Sequence, residues 1–146
     1  MADKGQFQLI EDLVGIKLAN FDSLRPTLSQ SIEQTETSTE FSAKLWCESY
    51  ELTDANATHT YLNGPMAGVA AVTNKDNVSV IGALSGSLIK SILKAALGEV
   101  GIETFTLPKG MRVSRRGETT LVLNFNLHDV EWEGTTYPGV SFSTLN

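Results

Sequence analysis

Two stretches of the chain carry apolar residues at helical spacing, and most of the remainder alternates with the period of a β-strand. In the first stretch Ile10, Leu13, Val14, Leu18 and Phe21 predict a helix over about 7–22, although Val14-Gly15-Ile16-Lys17-Leu18 also alternates as a strand would. Pro26 closes this helix or follows it closely, and the Ser-, Thr-, Gln- and Glu-rich run over 27–40 reads as an exposed polar connector. In the second stretch Leu88, Ile89, Ile92, Leu93, Ala96 and Leu97 form the stripe of a helix over about 87–98, with Ser85 or Ser87 as its cap and Gly98 placed to end it. So short a helix is marginal alone, so its stripe is expected to face the core.

Between the two helices the alternation of Phe41, Ala43, Leu45 and Cys47 puts these four on one strand face, which buries Cys47. A short strand follows near 58–62, and the segments 66–73 and 78–83 flank a four-residue hairpin loop, Asn74-Lys75-Asp76-Asn77. After the second helix the pattern predicts a four-strand meander over about 102–107, 111–115, 119–132 and 135–144. The loop Pro108-Lys109-Gly110 pairs Leu107 with Met111, Phe105 with Val113 and Glu103 with Arg115. The loop Arg116-Gly117-Glu118 sets Val113 opposite Leu121 and Met111 opposite Leu123. A turn at Glu133-Gly134 pairs Phe125 with Phe142, Leu127 with Val140 and Val130 with Tyr137. In this last hairpin the apolar phase switches at His128-Asp129 and again at Pro138-Gly139, so both strands must kink or expose a second apolar face around Val130, Trp132 and Tyr137. The whole is an α+β fold, a single domain over 1–146 with two helices and seven or eight short antiparallel strands.

Composition agrees with a folded domain. The chain is 41% hydrophobic and 19% charged, and 146 residues suffice for one core. Its N-terminal stretch carries Asp3, Glu11 and Asp12, which no secretory signal does, and no apolar run approaches the roughly 20 residues that span a bilayer. A cytoplasmic or intracellularly assembled protein is therefore expected. One cysteine excludes an internal disulfide framework, and with only two histidines no metal and no cofactor are expected. The net charge of −6 argues against a nucleic-acid partner. The charge is unevenly spread. Glu33, Glu36, Glu40, Glu48, Glu51 and Asp54 cluster in one segment, and Lys109, Arg112, Arg115 and Arg116 in another, a contrast that suits docking between copies.

No catalytic constellation emerges. His128 and Asp129 are strand neighbours that point to opposite faces, and His59 has no second ligand type nearby. The small-residue run Gly82 to Ser87 satisfies neither a nucleophile elbow nor a phosphate loop. Cys47 reads as a core thiol. These observations point to a non-catalytic protein–protein interaction or self-assembly subunit, a structural component of a larger particle whose partners are copies of itself. Its expected interaction surface is Arg112, Arg115 and Arg116 together with Val130, Trp132 and Tyr137. One alternative is a membrane-active or lipid-binding protein using the amphipathic helix 88–97, whose composition resembles that of membrane-lytic peptides and the amphipathic segments of pore-forming toxins. Another is a small-ligand-binding protein or enzyme with a pocket between sheet and helix, using His128.

Overall fold

The computed structural model describes the backbone of residues 4–145 and the side chains of residues 8–145. The described chain is α+β, with two helices and antiparallel strands in several sheets, and it divides into two compact units at Val100 and Gly101.

In the first unit, α1 (Lys4–Val14) ends at Gly15, and the residues expected to continue it form β1 (Ile16–Ser23) instead. Gly15 is the cause. It takes φ +67°, its carbonyl accepts the N–H groups of Thr53, Asp54 and Ala55, and a Cβ there would lie 2.8 Å from the Ala55 nitrogen. Beyond it, backbone pairing of β1 with β4 (Trp46–Leu52) prevails over a helical spacing that local propensity leaves ambiguous.

The connector expected over 27–40 also contains a strand. Ile32, one of two apolar residues in that polar run, is fully buried at the centre of β2 (Gln30–Gln34), which pairs with β3 (Glu40–Ala43) on one side and β5 (Asn56–Tyr61) on the other. With β6 (Ala70–Lys75) and β7 (Val78–Ile81) these make a five-stranded sheet in the order β3-β2-β5-β6-β7. The predicted strand through Phe41, Ala43, Leu45 and Cys47 breaks at Leu45, whose φ of +72° turns its side chain to solvent while Cys47 remains buried. The β6–β7 hairpin is tighter than expected: Lys75 pairs with Val78 around a two-residue loop with Asp76 at φ +51°.

Helix α2 (Gly86–Glu99) is capped by the Ser85 hydroxyl, which accepts from Leu88 N–H. It passes Gly98 and ends at Val100 and Gly101, with Gly101 at φ +73°. Its stripe is much less buried than expected. Leu88 is fully enclosed, whereas Leu93 is 56% exposed. The core gathers Leu88 with Ile32, Ala43, Cys47, Tyr61, Met66, Ala71, Val72 and Ala83. A smaller cluster joins Ile16, Tyr50 and Ala55. Tyr61 donates its hydroxyl to the carbonyls of Glu48 (2.8 Å) and Gly82 (3.1 Å), satisfying a polar group inside the core.

The second unit departs from the expected meander. Residues 102–107 are not a strand, and the two long final strands are each interrupted. Strands β8 (Met111–Arg116), β9 (Thr119–Asn124) and β12 (Ser141–Leu145) form a sheet in the order β12-β9-β8, and β10 (Val130–Trp132) pairs separately with β11 (Thr135–Tyr137). With these, the described residues contain 12 strands rather than seven or eight. Arg116 pairs with Thr119, so the β8–β9 loop is Gly117-Glu118 alone. Shortening the loop by one residue slips the register, so Met111 faces Asn124 and Val113 faces Val122. Val122 is thereby buried in place of Leu121 and Leu123. Phe142 pairs with Leu123 rather than Phe125, whereas Val130 does pair with Tyr137.

Candidate functional site

The residues of the expected interaction surface separate into two groups. Arg112, Arg115 and Arg116 project from β8 and are all exposed. Arg112 donates to the carbonyl of Met111 and Arg115 to that of Gly117, and the one ion pair among the described residues is Lys75 with Asp54, at 2.8 Å. The arginines therefore face no carboxylate of their own chain within the described residues.

Val130, Trp132 and Tyr137 do not form an exposed face. Tyr137 is 3% exposed and packs with Met111 and Val122 as the core of the second unit, with Val130 and Trp132 half-buried against it. The phase switch instead exposes Phe125, Leu127, Val140 and Phe142, of which Leu127 is 92% exposed and Phe142 73%. A single buried side chain organises this. Asn124 sits 2% exposed, and its amide nitrogen lies 2.9–3.0 Å from the carbonyls of His128, Tyr137 and Pro138. The chain is drawn inward at those carbonyls, and the flanking apolar residues are turned out. Val140 takes φ +48° and donates its N–H to the Asn126 carbonyl.

The first unit carries a second apolar surface that the sequence pattern did not signal. Leu9, Ile10 and Leu13 of α1 are exposed, as are Leu18 and Phe21 of β1 and Leu45 beside β4. Phe21 stacks on Trp46 across the ribbon, with ring centroids 5.0 Å apart. Seven of the eight β1 residues are exposed, and β4 is the only described strand paired with it. Leu18 and Phe21 were legible as apolar residues. Their exposure was not, because helical spacing alone does not say whether a stripe is covered.

No reactive centre assembles from the histidines or the thiol. His128 is exposed, and Asp129 uses its carboxylate to accept the Gly139 N–H at 3.0 Å. Burial pushes the Cys47 thiol up from its ordinary pKa, away from thiolate reactivity. Burial likewise raises the Tyr50 and Tyr61 phenols, Tyr50 further because it donates to the Glu48 carboxylate at 2.6 Å. No group of three or more His, Cys, Asp or Glu suited to a metal ion occurs among the described residues, and none of their helices is long and apolar enough to cross a membrane. A cleft does lie between α2 and the five-stranded sheet, but the histidine lining it is His59, not His128.

Exposed apolar surfaces on both units, without a convergent reactive group, describe a surface built for contact. Residues 3–103 match the model of the beta-galactosidase trimerisation domain. The chain belongs to that family. Assembly with copies of itself, the role expected from the sequence, is the role of a trimerisation domain. Its fold is shared with solved beta-galactosidases. The enzyme from Halorubrum lacusprofundi superposes with a TM-score of 0.81 at 21% identity, over 93% of this chain and 23% of that one. The enzyme from Rahnella sp. R3 gives 0.77 at 20% identity over 92% and 24%, and that from Bacillus circulans sp. alkalophilus gives 0.74 at 16% identity over 93% and 24%. The trimerisation domain described here thus spans about a quarter of the length of those enzymes. The structural likeness extends beyond residue 103, where the family match ends. No curated protein sequence matches the chain.

Proposed function

We propose that this chain is the part of a beta-galactosidase that holds three copies of the enzyme together, and that it is assembled inside the cell. The family match over residues 3–103 carries the reading. In it, chemistry on a β-galactoside belongs to the remaining length of such an enzyme, and this domain contributes association.

A closed ring of three is heterologous, so each copy offers two different surfaces, one to each neighbour. The two exposed apolar sets suit that need. One comprises Leu9, Ile10, Leu13, Leu18 and Phe21; the other is Phe125, Leu127, Val140 and Phe142. Arg112, Arg115 and Arg116, unpaired within the described chain, would meet the exposed carboxylates Glu36, Glu40, Glu51 and Asp54 of the next copy, steering the approach. Sedimentation equilibrium of the chain tests this directly. The expected mass is three times the 15.8 kDa of one chain, and a monomer at every concentration overturns the reading.

A further inference from the structure

We propose that the cleft between α2 and the five-stranded sheet is a binding site for a small uncharged polyhydroxylated molecule, a mono- or disaccharide. A helix laid on a sheet ordinarily seals it with apolar side chains, and the first turn of α2 does so through Leu88. Its second half does not. There Ile92 alone packs toward the core, the other residues lining the sheet side, Ser91, Ala95, Ala96 and Glu99, are small or polar, and Leu93 is turned to solvent. The space left beneath is about 640 Å³, within the range of small-ligand sites.

The floor of the cleft is polar by register rather than by accident of a loop. Gln34 pairs with His59 and His59 with Val72, making one row across β2, β5 and β6. Asn56 pairs with Asn74 and Asn74 with Ser79, making the next row across β5, β6 and β7. Cross-strand partners share a face, so three amides, a hydroxyl and an imidazole lie together under the helix. Amide and hydroxyl groups both donate and accept, which matches the mixed demand of a sugar's hydroxyls. Val72, Ile92 and Ala95 give the apolar contact that a ring's C–H face requires. Glu36, Asp76 and Glu99 line the cleft and no lysine or arginine does, which disfavours phosphates and carboxylates.

His59 brings a buried polar atom without a protein partner to the lining of the cleft. It is 95% buried by its 5% exposure; its Nδ1 lies 3.0 Å from the Thr58 hydroxyl, and its Nε2 has no partner in the protein. Burial lowers its pKa, so at neutral pH it is an uncharged ring able to hydrogen-bond a ligand hydroxyl.

The test is an NMR titration of the isotope-labelled chain with galactose, glucose and lactose, with inorganic phosphate as a fourth probe. Saturable shifts of the His59 ring and of the Asn56, Asn74 and Ala95 amides are expected with at least one sugar, in the millimolar range usual for so small a ligand. Asn74→Leu on the floor and Ala96→Trp, at an exposed position on the roof, are each expected to weaken binding by roughly tenfold or more. Both leave the buried His59 in place, and sedimentation of the same samples reports assembly separately from binding. Absence of any saturable sugar shift overturns the proposal, as does unchanged affinity in both variants or tighter binding of phosphate.

Discussion

At the scale of single residues, two positions concentrate constraint. Gly15 joins α1 to β1 in a left-handed conformation and receives three N–H groups on its carbonyl, with the Asp54 carboxylate and the Ala55 backbone nitrogen against it. Gly15→Ala demands both a positive φ from an alanine and space that is filled, so a loss of about 2 kcal/mol or more is expected in urea unfolding. The glycine was visible in the sequence, but its meaning was not, because nothing local distinguishes a glycine within a helical spacing from one that terminates it. His59 makes a pH prediction. Its folded pKa is depressed by burial below the unfolded value of about 6.5, so the folded state favours the neutral ring. The stability this preserves is present above about pH 6.5 and is lost as pH falls toward the lower folded value. Urea midpoints should therefore decline between pH 7.5 and 5.5 in the parent chain, and decline less in His59→Phe; equal slopes in both would assign the decline to other groups. Cys47, by contrast, was read correctly as buried even though its strand breaks at Leu45, since a two-residue period places it inward from either side of the break.

At the scale of elements, α2 was legible because cap and stripe agree over one continuous segment, and the structure moves its ends by a single residue each. The strands were less legible for a physical reason. Register depends on loop length, and one residue fewer in the β8–β9 turn exchanges the inward side chains of β9 for their neighbours. The last hairpin is interrupted at residues 125–129 and 138–140, and the group that sits at the interruption, Asn124, carries no periodic signal. Its amide nitrogen lies 2.9–3.0 Å from the carbonyls of His128, Tyr137 and Pro138, the last of which also accepts from the Ser141 hydroxyl. Asn124→Leu retains the bulk and removes the hydrogen bonds, so the second unit is expected to lose on the order of 2–3 kcal/mol. In a Trp46→Phe background, Trp132 fluorescence reads this in urea, because Trp132 packs 6.2 Å from Tyr137 in the same cluster. The helix cap is a milder case: Ser85→Ala should cost about 1 kcal/mol, in the first unit alone.

At the scale of the whole molecule, assembly was legible mainly through what the sequence lacked in catalytic groups and through its uneven charge, while three apolar residues of the expected surface, Val130, Trp132 and Tyr137, pack into the core of the second unit. A core-facing stripe and an exposed contact stripe have the same period, so spacing alone cannot tell which one a partner covers. The geometry of a closed trimer makes the proposed surfaces separable. If the apolar set on α1 and β1 of one copy meets the set around Phe142 on the next, Leu18→Asp and Phe142→Asp each remove one side of every joint, and either chain alone should sediment as a monomer. Mixing the two restores exactly one kind of joint. The intact Phe142 surface of the Leu18→Asp chain can engage the intact Leu18 surface of the Phe142→Asp chain, and the remaining ends are both disabled, so the mixture should give a one-to-one heterodimer that grows no further. A self-complementary joint behaves otherwise: whichever variant retains it would pair with itself, and mixing would add nothing. Sedimentation of the two chains separately and mixed therefore reports not only whether these surfaces are used but whether each meets the other.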